Sequence, residues 1–263
     1  MTQAGQALLE GRTAFITGAA GGIGLAVAQA FQRHGCNVVI ADVDGAGLAR
    51  AMATLETARA HAVTMNVTSE AESEAALAAT IGRFGRVDVL VPNAGILVLK
   101  PALDLETAEF RRVLDVNLTG AFITATTFAR HMRQNRTRGS IIFTSSLWGI
   151  RGGAENAAYS ASKFGVVGLA QCLAGDLAAD RIRVNCVCPG QIDTEMSRRL
   201  LVDRAAIRKL DPEEVRRATE RRIPLGAYGN VEEIAGTYVY LASDLSSYVT
   251  GQSIIPDGGW QVS

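Results

Sequence analysis

The 263-residue chain has no surplus of charge of either sign: 26 lysines and arginines stand against 26 aspartates and glutamates. Without a basic excess it lacks the electrostatic footprint of a nucleic-acid binder. No uninterrupted apolar stretch approaches the roughly 20 residues of a membrane-spanning helix, so no membrane partner is expected. The opening run from Met1 to Glu10 has no basic segment followed by an apolar one and does not read as a secretory signal. Cysteine is scarce: four residues, none at metal-site spacing, so no metal is expected. Cys186 and Cys188, two apart in an apparent strand, read as small buried residues of a cytoplasmic protein. Low-complexity, charge-rich and linker-like segments are missing too. With 48% hydrophobic residues to fill a core, the whole of 1–263 reads as one domain.

What is present is alternation. Strands are expected at 13–17, 37–42, 61–66, 87–91, around Ile141, at 183–188 and at 252–255. Between them, helices are expected at 22–34, 44–56, 69–83, 106–133, around Tyr159 and at 231–243. The strands are nearly continuous in valine and isoleucine, as required when helices cover both sheet faces. Strand–helix repetition implies right-handed parallel crossovers, hence an α/β fold with one doubly wound parallel sheet.

Thr17-Gly-Ala-Ala-Gly-Gly-Ile-Gly24 joins the first strand to the first helix. Its glycines permit a tight turn and let backbone approach a pyrophosphate at a helix N-terminus. Placed between a strand and an amphipathic helix, the turn favours dinucleotide binding over a plain connection. Asp42 ends the second strand 24 residues after Gly18. A carboxylate there accepts hydrogen bonds from ribose hydroxyls and repels a 2′-phosphate. Since Ala19, Ala20 and Val43 supply no cation, NAD is expected in preference to NADP. The bland alternative is a solvated aspartate ahead of a helix, where Asp44 caps equally well.

Tyr159 and Lys163 stand four apart, so on a helix they project from nearly one face. An ammonium beside a phenol favours the phenolate, and a pKa lowered by roughly three units brings the phenol into the range of general acid–base catalysis. Ser146 lies 13 residues upstream, at the expected end of the Ile141 strand. Such Tyr–Lys pairs are common on helix surfaces; the serine and the glycine turn give this one its chemical meaning.

These motifs together resemble the short-chain dehydrogenase/reductase family over essentially the whole chain. Thr17 to Gly24 matches its glycine turn, Asn93-Ala94-Gly95 its Asn-Ala-Gly, and Asn117, Ser146, Tyr159 and Lys163 its catalytic tetrad. Pro189-Gly190 and Thr194 match its nicotinamide segment, and Asp257-Gly258-Gly259 its C-terminal signature. The resemblance implies a Rossmann-like fold and cofactor contacts at Gly18, Gly22, Ile23, Gly24, Asp42, Asn66, Val67, Asn93, Ala94, Gly95, Tyr159, Lys163, Pro189, Gly190, Ile192 and Thr194. It further implies substrate contacts at Ser146, Trp148, Arg151 and Tyr159, a water held by Asn117 between Lys163 and solvent, and Ile96, Leu97 and Val98 near the pocket.

The sequence departs from the pattern at three places. Asn66 replaces the aspartate common opposite the adenine amino group, Pro92 precedes Asn93 and should end its strand, and Ala227 and Val231 replace an arginine and a proline, which should loosen a structural turn.

The implied activity is NAD(H)-dependent interconversion of a secondary alcohol, such as a polyol or sugar derivative, and its ketone. Reduction of a 3-oxoacyl thioester is the alternative enzyme. An NAD-binding sensor without turnover is the non-enzymatic one, although such a protein would normally have lost Tyr159 or Lys163. Val166, Ala170, Leu173 and Leu177 form one stripe, while Val167, Leu169 and Cys172 lie elsewhere on the same helix; relatives bury such a surplus in homotetramers. Residues 191–222 break the rhythm with nine cations against seven acids and resemble the family's helical substrate lid, partly ordered without cofactor. Internal ion pairs on a solvated face account for that charge; an anionic substrate is the alternative.

Overall fold

The structure, a computed structural model, describes residues 7–262; most of the opening run read above lies outside the described residues. Seven parallel strands form one sheet in the order β3-β2-β1-β4-β5-β6-β7. The alternation runs β1 (Thr13–Thr17), α1 (Gly22–Arg33), β2 (Asn37–Asp42), α2 (Gly45–Met52), β3 (Ala60–Thr64), α3 (Glu70–Phe84) and β4 (Val89–Val91). It continues with α4 (Thr107–Leu114), α5 (Gly120–Gln134), β5 (Ser140–Thr144), α6 (Ala157–Leu177) and β6 (Arg183–Val187). Then come α7 (Glu195–Arg208), α8 (Pro212–Glu220), α9 (Val231–Ala242) and β7 (Ser253–Ile254).

The central strands β1 and β5 are buried along their entire length, so both faces of the sheet are core. On one face Ile16, Val27, Phe31 and Tyr238 pack beneath α1 and α9. On the other, Phe15 and Phe128 meet with ring centroids 4.6 Å apart among residues of α5 and α6. Burying an aromatic of this size contributes about 1.5–3 kcal/mol. Helix ends are set by local chemistry. Ser69 accepts from the Glu72 amide to start α3, and Gly85, at φ +76°, ends it. Asn230 and Glu233 cap α9 reciprocally, so the turn that lost its customary arginine and proline still leads into a fully capped helix.

Three expectations need correcting. The single helix over 106–133 is two helices joined by a π turn at Asp115–Thr119, which carries Asn117. Such turns insert one residue into an α-helix, and periodicity alone does not show them. Strand β4 begins at Val89 rather than 87. Asp88 just before it turns its carboxylate to the Thr13 amide (2.9 Å) and to the Arg86 Nε (2.8 Å). Strand β7 is two residues long rather than four. Pro92 does end β4, as its missing donor requires.

All strands run the same way, so their C-terminal ends open on one edge. The order reverses at β1, where the next strands lie on opposite sides, and parallel sheets bind ligands at such a point. No helix among the described residues is long and apolar enough to cross a membrane.

Candidate active site

A cleft of about 690 Å³ opens over the C-terminal ends of β1, β4, β5 and β6. Its floor begins at the glycine turn. Gly18 has φ +64°, and a Cβ there would stand 2.6 Å from the Ala94 Cα. A Cβ on Gly24 would stand 2.5 Å from the Gly18 carbonyl oxygen. Asn93 ties the two loops together, its Nδ2 donating to the carbonyl oxygens of Thr17 (3.0 Å) and Gly18 (2.9 Å). The Thr17 hydroxyl in return accepts from the amides of Asn93 (3.0 Å) and Ala94 (3.1 Å). The tight backbone approach keeps this end of the cleft open for a pyrophosphate. Asp42 lines it from the end of β2, its carboxylate accepting from the amides of Ala20 (3.2 Å) and Asp44 (3.1 Å). Turn, carboxylate and volume together fit a dinucleotide.

Helix α6 supplies the reactive pair. Tyr159 and Lys163 both line the cleft, with Lys163 Nζ 5.7 Å from the centre of the Tyr159 ring. Lys163 is 3% exposed and donates to the Thr144 carbonyl oxygen at 2.8 Å. Burial lowers its pKa from 10.5 to about 8. Burial also pushes the Tyr159 phenol up, Ser146 working against that shift and Cys188 adding to it. The expectation that Lys163 lowers the phenol is therefore not met in this arrangement: the ammonium is turned to a backbone carbonyl and burial dominates.

Ser146 follows β5 and accepts from the Trp148 amide at 3.1 Å; both residues line the cleft. Asn117 is buried, and its side chain is fully engaged. Oδ1 accepts from the Ile96 amide (2.8 Å), while Nδ2 donates to the Ile96 carbonyl (2.9 Å) and to Ser162 Oγ (3.0 Å). Gly95 separates it from the lysine: a Cβ there would lie 3.3 Å from Asn117 Oδ1 and 3.5 Å from Lys163 Nζ.

Of the other residues singled out in the sequence, Gly18, Gly22, Ile23, Asn93, Gly95, Pro189, Gly190, Ile192 and Thr194 also line the cleft. Gly24, Asn66, Val67, Ala94, Asn117, Arg151 and Val98 are not part of its wall. Gly24, Ala94 and Asn117 instead support that wall from behind. The Asn66 amide oxygen, expected at the adenine, accepts from the Thr68 amide (3.1 Å) and hydroxyl (2.9 Å) in a local turn. Arg151 is exposed.

Sequence reasoning missed Asn156, Arg112 and Tyr228, which line the cleft as well. A signal for Asn156 was present: it stands three residues before Tyr159, immediately ahead of the helix that carries it. Arg112 and Tyr228 come from distant segments that only folding brings near, and no local pattern marks them.

The segment after β6 covers the cleft. Its two ends are pinned together by bonds from the Gly229 amide to the Gln191 carbonyl and from the Asp193 amide to the Gly229 carbonyl, both 2.9 Å. Between them α7 and α8 form a mostly exposed helical pair whose small core is Leu201, Ala205 and Val215. Thr194 caps α7 beside the glycine turn, 3.9 Å from where a Cβ on Gly22 would lie.

Residues 18–261 match the family model described as enoyl-(acyl carrier protein) reductase. The 3-oxoacyl-[acyl-carrier-protein] reductase FabG of Thermotoga maritima is 38% identical over 253 residues, 95% of this chain and 98% of the relative. The cis-4-hydroxycyclohexanecarboxylate dehydrogenase of Sinomonas cyclohexanicum is 39% identical over 259 residues, 97% of this chain and 98% of the relative. Among solved structures, levodione reductase superposes with a TM-score of 0.91 at 32% identity, covering 97% of this chain and 99% of that one.

Proposed function

The chain belongs to the short-chain dehydrogenase/reductase family, and from that premise we propose that Ser146, Tyr159 and Lys163 carry out its chemistry with NAD(H) as the preferred cofactor. The reaction class is oxidoreduction between a secondary alcohol and its ketone with a nicotinamide cofactor. The carrying observation is that these three side chains share one cleft with the glycine turn and Asp42.

The cofactor, when bound, accepts hydride from the alcohol carbon or returns it to the ketone. Tyr159 takes the hydroxyl proton in oxidation and gives it back in reduction. A phenol is ordinarily protonated at neutral pH and burial pushes Tyr159 further that way, which favours its role as donor to a ketone. Oxidation needs the phenolate and should therefore quicken as pH rises. Lys163, with a pKa near 8, is still mainly charged at pH 7, and turning its ammonium from the Thr144 carbonyl toward the phenol would favour the phenolate. Ser146 holds the reacting oxygen by a hydrogen bond. Asn117 acts as a positioning residue: its three bonds tie the loop at Ile96 to Ser162 on α6, next to Lys163. The stretch 191–222 serves as a lid that excludes water when it closes.

Asp42 supports NAD, because it lines the cleft at the end of β2 and a carboxylate there would repel a 2′-phosphate. Steady-state assays of secondary alcohols with both cofactors test this. The wild type should favour NAD⁺ by at least about tenfold, roughly 1.4 kcal/mol, and Asp42→Ala should narrow that ratio without inverting it. Equal wild-type efficiencies would overturn the preference. A second reading, reduction of a 3-oxoacyl thioester, draws support from the Thermotoga relative. Activity on such thioesters exceeding that on simple ketones would establish it.

Homotetramer formation through α5 and α6 is supported by Phe122 and Phe164, 47% and 45% exposed on those helices. Four unpaired cysteines support a reducing, cytoplasmic setting.

A further inference from the structure

Beneath α7 lies a charge that the proton chemistry at Tyr159 does not use. Arg204 lines the cleft with its side chain 13% exposed, and its buried Nε has no hydrogen-bond partner among the described residues. The nearest carboxylate, on Glu155, is 3.6 Å from Nε, beyond hydrogen-bond range. Glu155 is already taken, because Arg208 donates to both its oxygens, from Nε and Nη2 at 3.1 Å each. One carboxylate thus faces two guanidiniums, and the group of three carries a net charge of +1. Burial first and then the neighbouring Arg208 press against Arg204's charge, and Glu155 offsets them only in part, so a further anion there would relieve it. Arg112, Arg199, Glu195 and Asp203 also line this half of the cleft and cancel, two cations against two acids.

A second observation comes from another element. Asn156, the residue after Glu155, is 1% exposed and lines the same cleft. Neither its amide nitrogen nor its amide oxygen has a partner, and it does not cap α6, which it precedes. Burying an unpaired amide is costly, and a ligand supplying both an acceptor and a donor would remove that cost. Asn156 stands three residues before Tyr159, and both line the cleft.

We propose that Arg204 and Asn156 form a carboxylate-binding pocket, so that the substrate is a hydroxy acid whose secondary alcohol and carboxylate lie several carbons apart, or the matching keto acid. The planar guanidinium fork suits a carboxylate. With Arg208 bonded to Glu155 and the group of three carrying one net positive charge, the site fits a monoanion better than a dianionic phosphate. This proposal rests on the assignment of the cleft as the site of alcohol oxidation.

The test pairs a binding measurement with turnover. Cyclohexanecarboxylate and cyclohexanecarboxamide are titrated calorimetrically into the NADH-loaded protein, while cis-4-hydroxycyclohexanecarboxylate, its carboxamide and cyclohexanol are assayed as substrates. The carboxylate should bind about 10- to 100-fold more tightly than the carboxamide, the range for a hydrogen-bonded charged group. Arg204→Gln should abolish that difference. Arg208→Gln should reduce it, because the freed Glu155 then claims Arg204. Arg198→Gln, on the far side of α7 and paired with Asp193 at 2.9 Å, should leave it intact. Equal binding of the two ligands by the wild type overturns the proposal even where Arg204→Gln fails to fold, as does a preference that survives in Arg204→Gln. Turnover of the neutral alcohols without carboxylate preference removes the pocket and leaves the reaction. Selective carboxylate binding with no turnover of any alcohol removes the reaction and leaves the pocket.

Discussion

On the floor of the cleft backbone lies against backbone. A Cβ on Gly18, Gly24 or Gly190 would come within 2.6 Å of another main-chain atom, and Asn93 and Thr17 lock the turns by four hydrogen bonds. Over the same cleft, α7 and α8 bury few side chains; Arg208–Glu155 ties α7 to the segment before α6, and Arg216–Glu220 is a pair within α8 itself. Close-packed backbone has two states, fitted or broken, whereas exposed ion pairs contribute little each and exchange readily. The floor can therefore hold reacting groups to fractions of an ångström. The roof opens at low cost, and its side chains can change without unfolding the sheet.

The sharpest break of this contrast is at the floor. Tyr159→Phe keeps the ring and removes the proton carrier, so kcat should fall by about 10²–10⁴-fold while NADH binding, followed by fluorescence titration, persists. Near wild-type turnover would remove Tyr159 from the mechanism.

A smaller effect concerns the lysine beneath it. The unfolded chain holds this proton up to its ordinary pKa of 10.5, and the folded one releases it near 8. Between those values the unfolded state binds more protons, so this group makes stability rise with pH. The cost of the buried ammonium is fully present below pH 8. Lys163→Met removes the titration, so the variant's stability relative to the cofactor-free wild type should drop by about 2–3 kcal/mol between pH 7 and 10. Other titrating groups cancel in the comparison. Urea titrations giving the same difference at both pH values would show that Lys163 is not desolvated.

The smallest effect belongs to the roof. Arg198→Gln breaks an ion pair whose side chains are 65% and 35% exposed and should change stability by about 0.5 kcal/mol or less. A loss above about 2 kcal/mol would mean that the roof is as tightly determined as the floor.

The same contrast explains what was legible beforehand. Strands β1 and β2 follow from runs of buried β-branched residues, and their limits agree with the sequence reading residue for residue. Gly18, Asp42, Ser146, Tyr159 and Lys163 were found because each sits at a strand end or on one helix face, where spacing along the chain fixes spacing in the fold. The burial of Asn156 was not legible because its environment comes from residues far away in sequence. Arg204 was visible only as one of nine cations. What separates it from Arg198 is the carboxylate that Arg208 occupies, and that depends on Glu155, some 50 residues upstream. The turn in which the Asn66 amide oxygen accepts from Thr68 was not legible, because it depends on local backbone geometry rather than spacing.

The π turn at Asp115–Thr119 has a consequence for heredity. It holds one residue more than the same span of α-helix requires, so loss of a single codon there would straighten the segment while keeping α4 and α5 in step. The sheet, its cover and the glycine turn would survive such a deletion. Asn117 would lose the place from which it reaches Ile96 and Ser162. A lineage can thus discard the support behind Lys163 in one step and keep a folded, nucleotide-sized cleft, which makes this turn a point where the fold can outlive its chemistry.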